Sequence, residues 1–159
     1  MTERTACLIG QRDFGNRQGL EVLLYFKIKS IIQKVIDEGY IHFITNLYYR
    51  FDLLAAQALL EIKKTHPEIE IECAITYENM IKKRYDEDKQ EYERFINKCD
   101  TLTALSKNYT PESEFESCRY MIDKSSLVIV ACNGVENNEK AQMMINYAKS
   151  RGLEMIKIL

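Results

Sequence analysis

Leu127-Val128-Ile129-Val130-Ala131-Cys132 is a run of six apolar residues with β-branched side chains at its centre. It is short for a helix and too apolar to leave one face in water, so it reads as a strand covered on both sides. Strands of that kind sit in parallel sheets with helices packed above and below. Outward from it, Pro111 opens a helix running to about Asp123 on the upstream side. Downstream, a helix near Asn138 to Ser150 is capped by Gly152 and followed by a last strand, Leu153 to Ile158.

The same alternation fills the rest of the chain. Thr5-Ala6-Cys7-Leu8-Ile9 is strand-like and closes at Gly10; Leu24, Ile28, Ile31, Ile32 and Val35 then recur at helical spacing until Gly39. Tyr40 to Thr45 reads as a strand, about Phe51 to Lys64 as a helix that ends before Pro67, and Ile69 to Ile75 as the third strand. Between Tyr77 and Lys98 the sequence is highly charged, with one apolar stripe through Tyr92, Phe95 and Ile96, which predicts a loop and then a surface helix. Thr101 to Leu105 is a weak fourth strand. Six strands alternating with five helical segments predict an α/β protein: a Rossmann-like three-layer sandwich, its sheet mainly parallel, helices on both faces. No repeat, low-complexity tract or linker breaks the sequence, so residues 1–159 are expected to form a single domain.

Composition narrows the function. Lys plus Arg total 22 against 24 Asp plus Glu, a net charge of -2, so no basic excess exists to neutralise a run of phosphates and duplex nucleic acid is not expected as a partner. The five cysteines form no C-x-x-C pair, which argues against a disulfide framework or zinc knuckle and predicts a reduced, cytoplasmic setting. Neither a signal peptide nor a membrane span is expected, because no apolar run approaches the ~20 residues that cross a bilayer.

In a sheet of this type ligands bind beyond the carboxyl ends of the strands, where helix N-termini present free N–H groups. That selects 10–19, 45–52 and 133–140. Arg12 suits an anion contact, or an ion pair with a loop acid such as Asp13. Asp52 suits a ribose hydroxyl, or the N-terminus of the second helix. Tyr48 and Tyr49 can stack on a base or simply fill space. Arg119 and Asp123 stand one helical turn apart, as an i, i+4 ion pair would. His42, inside a strand, and His66, before a proline, have no nucleophile beside them and are read as structural, and the strand and helix cysteines as small apolar groups.

Three motifs carry a family resemblance: Gly10-Gln11-Arg12 after the first strand, Phe51-Asp52-Leu53-Leu54-Ala55-Ala56, and Met121-Ile122-Asp123-Lys124-Ser125. Together they resemble the YpsA-like family of the SLOG superfamily, which also contains the DprA and LOG proteins, and the resemblance runs from about Thr5 to Leu159. It implies a Rossmann-like fold and a nucleotide or nucleotide-derived ligand at the strand ends, held by Gly10, Gln11, Arg12, Asn46, Tyr48, Asp52, Tyr85, Asn133, Gly134, Asn137 and Asn138. Tyr85 falls where the family often has a tryptophan. Gln11 replaces the usual histidine, the second turn has no glycine, and the third keeps only Gly134; Gly10, Arg12, Asp52 and Gly134 are the positions retained.

Glycine permits a left-handed backbone and close approach to phosphate. Asn tolerates that conformation, so Asn46, Asn137 and Asn138 are expected to keep turn shape, while Glu136 and Glu139 oppose an anion. The related glycosidases carry a Pro-Gly-Gly-x-Gly-Thr-x-x-Glu turn of which only Gly134 and Glu139 are present. The sequence therefore predicts a binding domain without catalysis. Its alternatives are an interaction module with a decayed pocket, self-association being one route, and, last, a nucleoside-monophosphate glycosidase.

Overall fold

The computed structural model describes residues 4–10, 18–47, 50–82, 89–131 and 139–158. Six strands, β1 (Arg4–Gly10), β2 (Tyr40–Thr45), β3 (Glu70–Ile75), β4 (Thr101–Ala104), β5 (Leu127–Ala131) and β6 (Glu154–Ile158), alternate with five helices. The helices are α1 (Gln18–Asp37), α2 (Arg50–Lys63), α3 (Lys89–Lys98), α4 (Ser113–Asp123) and α5 (Glu139–Ser150). The sheet order is β4-β3-β2-β1-β5-β6, and every neighbouring pair is parallel.

Strand parity explains the layers. On β1, Ala6 and Leu8 join a core with α1, α2 and α3, whereas Cys7 and Ile9 join a second core with α4 and α5. The strand expected to be covered on both sides, β5, lies between β1 and β6 and is buried at all five positions, with Leu127 and Ile129 on the first side and Val128 and Val130 on the second. Alternate residues thus enter different cores, which is why the run lacks polar alternation. At the sheet's edge β4 pairs, among the described residues, with β3 alone and is exposed at three of its four positions, in keeping with its weak apolar signal. Gly39 and Gly152 follow α1 and α5 at φ 101° and 75°, with open space where a Cβ would stand; left-handed backbone is what requires glycine there.

Two local expectations are corrected. Arg119 does not pair with Asp123: its guanidinium lies over the rings of Phe115 and Tyr147, and Asp123 instead accepts from Tyr147 Oη at 2.6 Å and meets Arg151 Nε at 3.3 Å. Helical spacing brings the two within reach, but neighbouring α5 offers both of them better partners. The left-handed residue after β2 is Leu47, at φ 54°, and not Asn46. Leu47 is fully buried, so the core holds a leucine in a conformation that costs ~1–2 kcal/mol.

Among the described residues no helix is long and apolar enough to cross a membrane.

Candidate functional site

After β1 the chain steps outward through β2, β3 and β4, then returns to place β5 on the other side of β1. That reversal lies past the carboxyl ends at the register pair Gly10 and Ala131, the kind of place where open parallel sheets bind ligands. Of the residues expected to line it, Gly10, Asn46 and Asp52 are described. Gln11, Arg12, Tyr48, Tyr85, Asn133, Gly134, Asn137 and Asn138 lie outside the described residues, as does the backbone of 132–138.

Gly10 has a packing reason to be glycine. A Cβ built there falls inside 3.0 Å of Cβ, Cγ and Cδ1 of Phe51, a fully buried side chain in the first turn of α2. Closing α2 onto the end of β1 needs that hydrogen-sized gap. Arg50, beside it, is held by a two-pronged ion pair, its Nε and Nη2 each 3.1 Å from a carboxylate oxygen of Glu21 on α1. Together these contacts fix the start of α2 over the sheet edge.

Asp52 stands third in α2, inside the first turn and three residues past the cap position, which precedes the helix. It is 1% exposed, and its charge reaches both Cys73, on the α1–α3 side of the sheet, and Cys118, on the α4–α5 side. Glu114, 6% exposed in the first turn of α4, also acts on Cys118. Two carboxylates are thus buried at the first turns of two helices, where the dipole favours negative charge.

Further polar side chains are buried at the ends of β2 and β3 and along α4. Thr45, Asn46, Thr76, Ser113 and Ser117 are all buried. Asn46 Nδ2 reaches Cys118 Sγ at 3.9 Å, Ser117 Oγ donates to the Ala74 carbonyl at 3.3 Å, and Ser113 Oγ accepts from Thr110 N at 2.7 Å. The hydroxyls of Thr45 and Thr76, at the ends of β2 and β3, have no hydrogen-bond partner among the described residues. At the rim, Tyr77 and Tyr109 meet edge to face with ring centroids 5.8 Å apart, and Tyr109 is mostly exposed.

The chemistry available is that of acceptors and hydroxyls. Burial, reinforced by Asp52 and Glu114, raises the Cys118 thiol well above its ordinary value, so it stays protonated and is a poor nucleophile. Cys7 is pushed up to about 12 by the same desolvation. Neither histidine belongs to this edge. His42 Nδ1 lies 3.2 Å from Glu70 at the start of β3, and His66 Nδ1 lies 3.1 Å from the Thr65 hydroxyl. No group of three or more His, Cys, Asp or Glu stands ready to share a metal ion among the described residues.

Sequence reading missed Thr45, Thr76, Ser113, Glu114, Ser117 and the Tyr77–Tyr109 pair. Pro111-Glu112-Ser113-Glu114 looks like an ordinary solvated helix start, and the one signal for burial was Phe115, Cys118 and Met121 on the same helical face. A second polar network sits at the opposite end of the strands. There Glu72 accepts from Tyr120 Oη at 2.6 Å and Thr103 Oγ1 at 2.9 Å beside a groove of about 260 Å³.

The YpsA family model, described as the YspA SLOG family, matches residues 14–157. The matched span begins after β1 and so contains 51–56 and 121–125 but not Gly10-Gln11-Arg12. No curated protein matches the chain.

Proposed function

The chain belongs to the YspA SLOG family, and on that premise we propose that it binds a nucleotide-related small molecule at the carboxyl edge of its sheet, as one cytoplasmic domain without catalysis. The observation that carries the reading is two buried hydroxyls at the ends of neighbouring strands, Thr45 and Thr76, without partners among the described residues, on a chain that also buries Asp52, Asn46 and Glu114. A buried polar group with no partner costs ~1–3 kcal/mol, and a ligand's polar atoms would offset it.

The inner wall is acidic, so the ligand end that reaches it carries O–H or N–H donors, as a ribose diol or a base amino group does, and phosphate stays outside. Tyr109 offers an aromatic face at the rim. Arg12, with Gln11, Asn133, Gly134, Asn137 and Asn138, is assigned to the ligand's anionic part on the family resemblance, and Tyr48 and Tyr85 to its base.

Titration with AMP, ADP-ribose, NAD and cyclic nucleotides in a thermal-shift assay tests this. A ligand at 100 times its Kd stabilises by ~2.7 kcal/mol, roughly 5–11 °C for a chain of this size. Asp52→Asn and Arg12→Ala should each remove most of the shift. One observation favours the competing reading of an interaction module: Phe51 occupies the space at Gly10 through which a phosphate would approach the backbone. Silence of the wild type and of both variants toward every nucleotide would decide for that reading.

A further inference from the structure

The first turns of α1 break the pattern of a helix lying on a core. Val22, Leu23 and Phe26 are 57%, 70% and 60% exposed, while the expected stripe of Leu24, Ile28, Ile32 and Val35 is buried on the other side. A helix that is apolar all round is normally covered all round. The three side chains form an outward patch on the order of 300 Å², at the size where apolar patches mark interaction surfaces.

The exposed stripe continues as Gly19 before the patch and Ser30 after it, both exposed. It reads alike in either direction, with a small residue at each end and large apolar residues between, spaced by three and four. We propose that this stripe is the contact between two copies of the chain, packed antiparallel about a two-fold axis. In that pairing Gly19 lies opposite Ser30 of the second copy and Leu23 opposite Phe26, the small ends allowing the helices to approach closely.

Charge agrees with the arrangement. The stripe itself carries none, so identical patches do not repel. Lys27 is exposed and makes no ion pair among the described residues, and the two-fold sets it near the second copy's Glu21, whose side chain is one-third exposed beside its own Arg50. Each side of a standard interface buries ~800 Å², so the patch supplies the apolar centre and the polar surface around α1 the rim. A lipid surface is a poorer match, because the stripe loses its apolar residues after two turns. The dimer does not depend on the nucleotide reading.

Sedimentation equilibrium from about 1 to about 200 µM spans the affinities an interface of this size allows. The expected mass is twice 18.7 kDa at the upper end. Leu23→Glu and Phe26→Glu, both at exposed positions, should each raise the dissociation constant by about 30-fold or more with unchanged circular dichroism. Lys27→Glu, a surface change that cannot disturb the core, should weaken the dimer and reverse its response to salt, since added salt then screens repulsion. A mass of 18.7 kDa at every concentration, with or without binding to anionic vesicles, overturns the proposal. So does a dimer that Leu23→Glu and Phe26→Glu leave intact.

Discussion

Replacing Gly10 by alanine adds one methyl group at the point where α2 closes onto β1, and its cost can be worked from the packing. The added Cβ falls inside 3.0 Å of three Phe51 atoms, one of them Phe51 Cβ, which no rotamer change can move away. Helix α2 itself must shift, although nine of its residues are buried and it packs on α1, α3 and β1. Overpacking of this kind costs ~1–3 kcal/mol, and backbone involvement places the change at the upper end, near ~3 kcal/mol or a fall in Tm of roughly 6–12 °C. Urea unfolding without ligand measures it. Phe51→Ala should not rescue the loss, because it leaves the Cβ in place. A Gly10→Ala protein as stable as wild type would refute the reasoning and return Gly10 to a ligand-contact role.

Other changes test other links. Thr45→Val and Thr76→Val should leave the ligand-free protein as stable or raise it by ~1 kcal/mol, because each deletes a partnerless hydroxyl, yet both should weaken nucleotide binding; urea titration and calorimetry report the two halves. Leu47→Gly relieves ~1–2 kcal/mol of left-handed strain but forfeits ~3–5 kcal/mol of buried leucine, so net destabilisation is expected in urea melts. Asp100 is held below the usual carboxylate range: desolvation pushes the other way, but Lys63 Nζ and the Ile71 N–H outweigh it. A depressed carboxylate stabilises above its unfolded pKa, near 3.8, and that contribution is lost as pH falls through the lower folded value. Asp100→Asn should therefore destabilise modestly at pH 7, with the gap to wild type closing below about pH 4 in melts across pH. In native protein at pH 8, a thiol reagent should leave Cys7, Cys73 and Cys118 unmodified while partly exposed Cys99, its thiol also pushed up by burial, reacts slowly, with mass mapping of these four sites as the check.

Elements were legible in the sequence where one physical signal dominated. The apolar run at 127–131 could only be a strand covered on both sides, and Gly39 and Gly152 mark helix ends because little else tolerates their backbone angles. Individual side chains were harder where several partners were in reach. Arg119 found two aromatic rings and left Asp123 to Arg151, a choice made by α5 and invisible to i, i+4 spacing. Asn46 has the better left-handed propensity, but the core needed the next residue inward, so Leu47 takes the strained angle. Glu114 looked solvated because its neighbours Glu112 and Glu116 are; only the placement of α4 over the ends of β1 and β3 buries it. Asp52 was singled out from its position after a strand; its burial, which residue type does not announce, goes with the tight closure of its neighbour Phe51 on Gly10.

The most direct test of a nucleotide seat at this edge is an amide NMR titration of the isotopically labelled full chain with AMP and ADP-ribose. Saturable shifts centred on Thr45, Asn46, Asp52, Thr76 and Ser117, and lost in Asp52→Asn, are the predicted result. Shifts that never saturate, or that cluster on α1 or the Glu72 groove and leave those five residues unmoved, would contradict it.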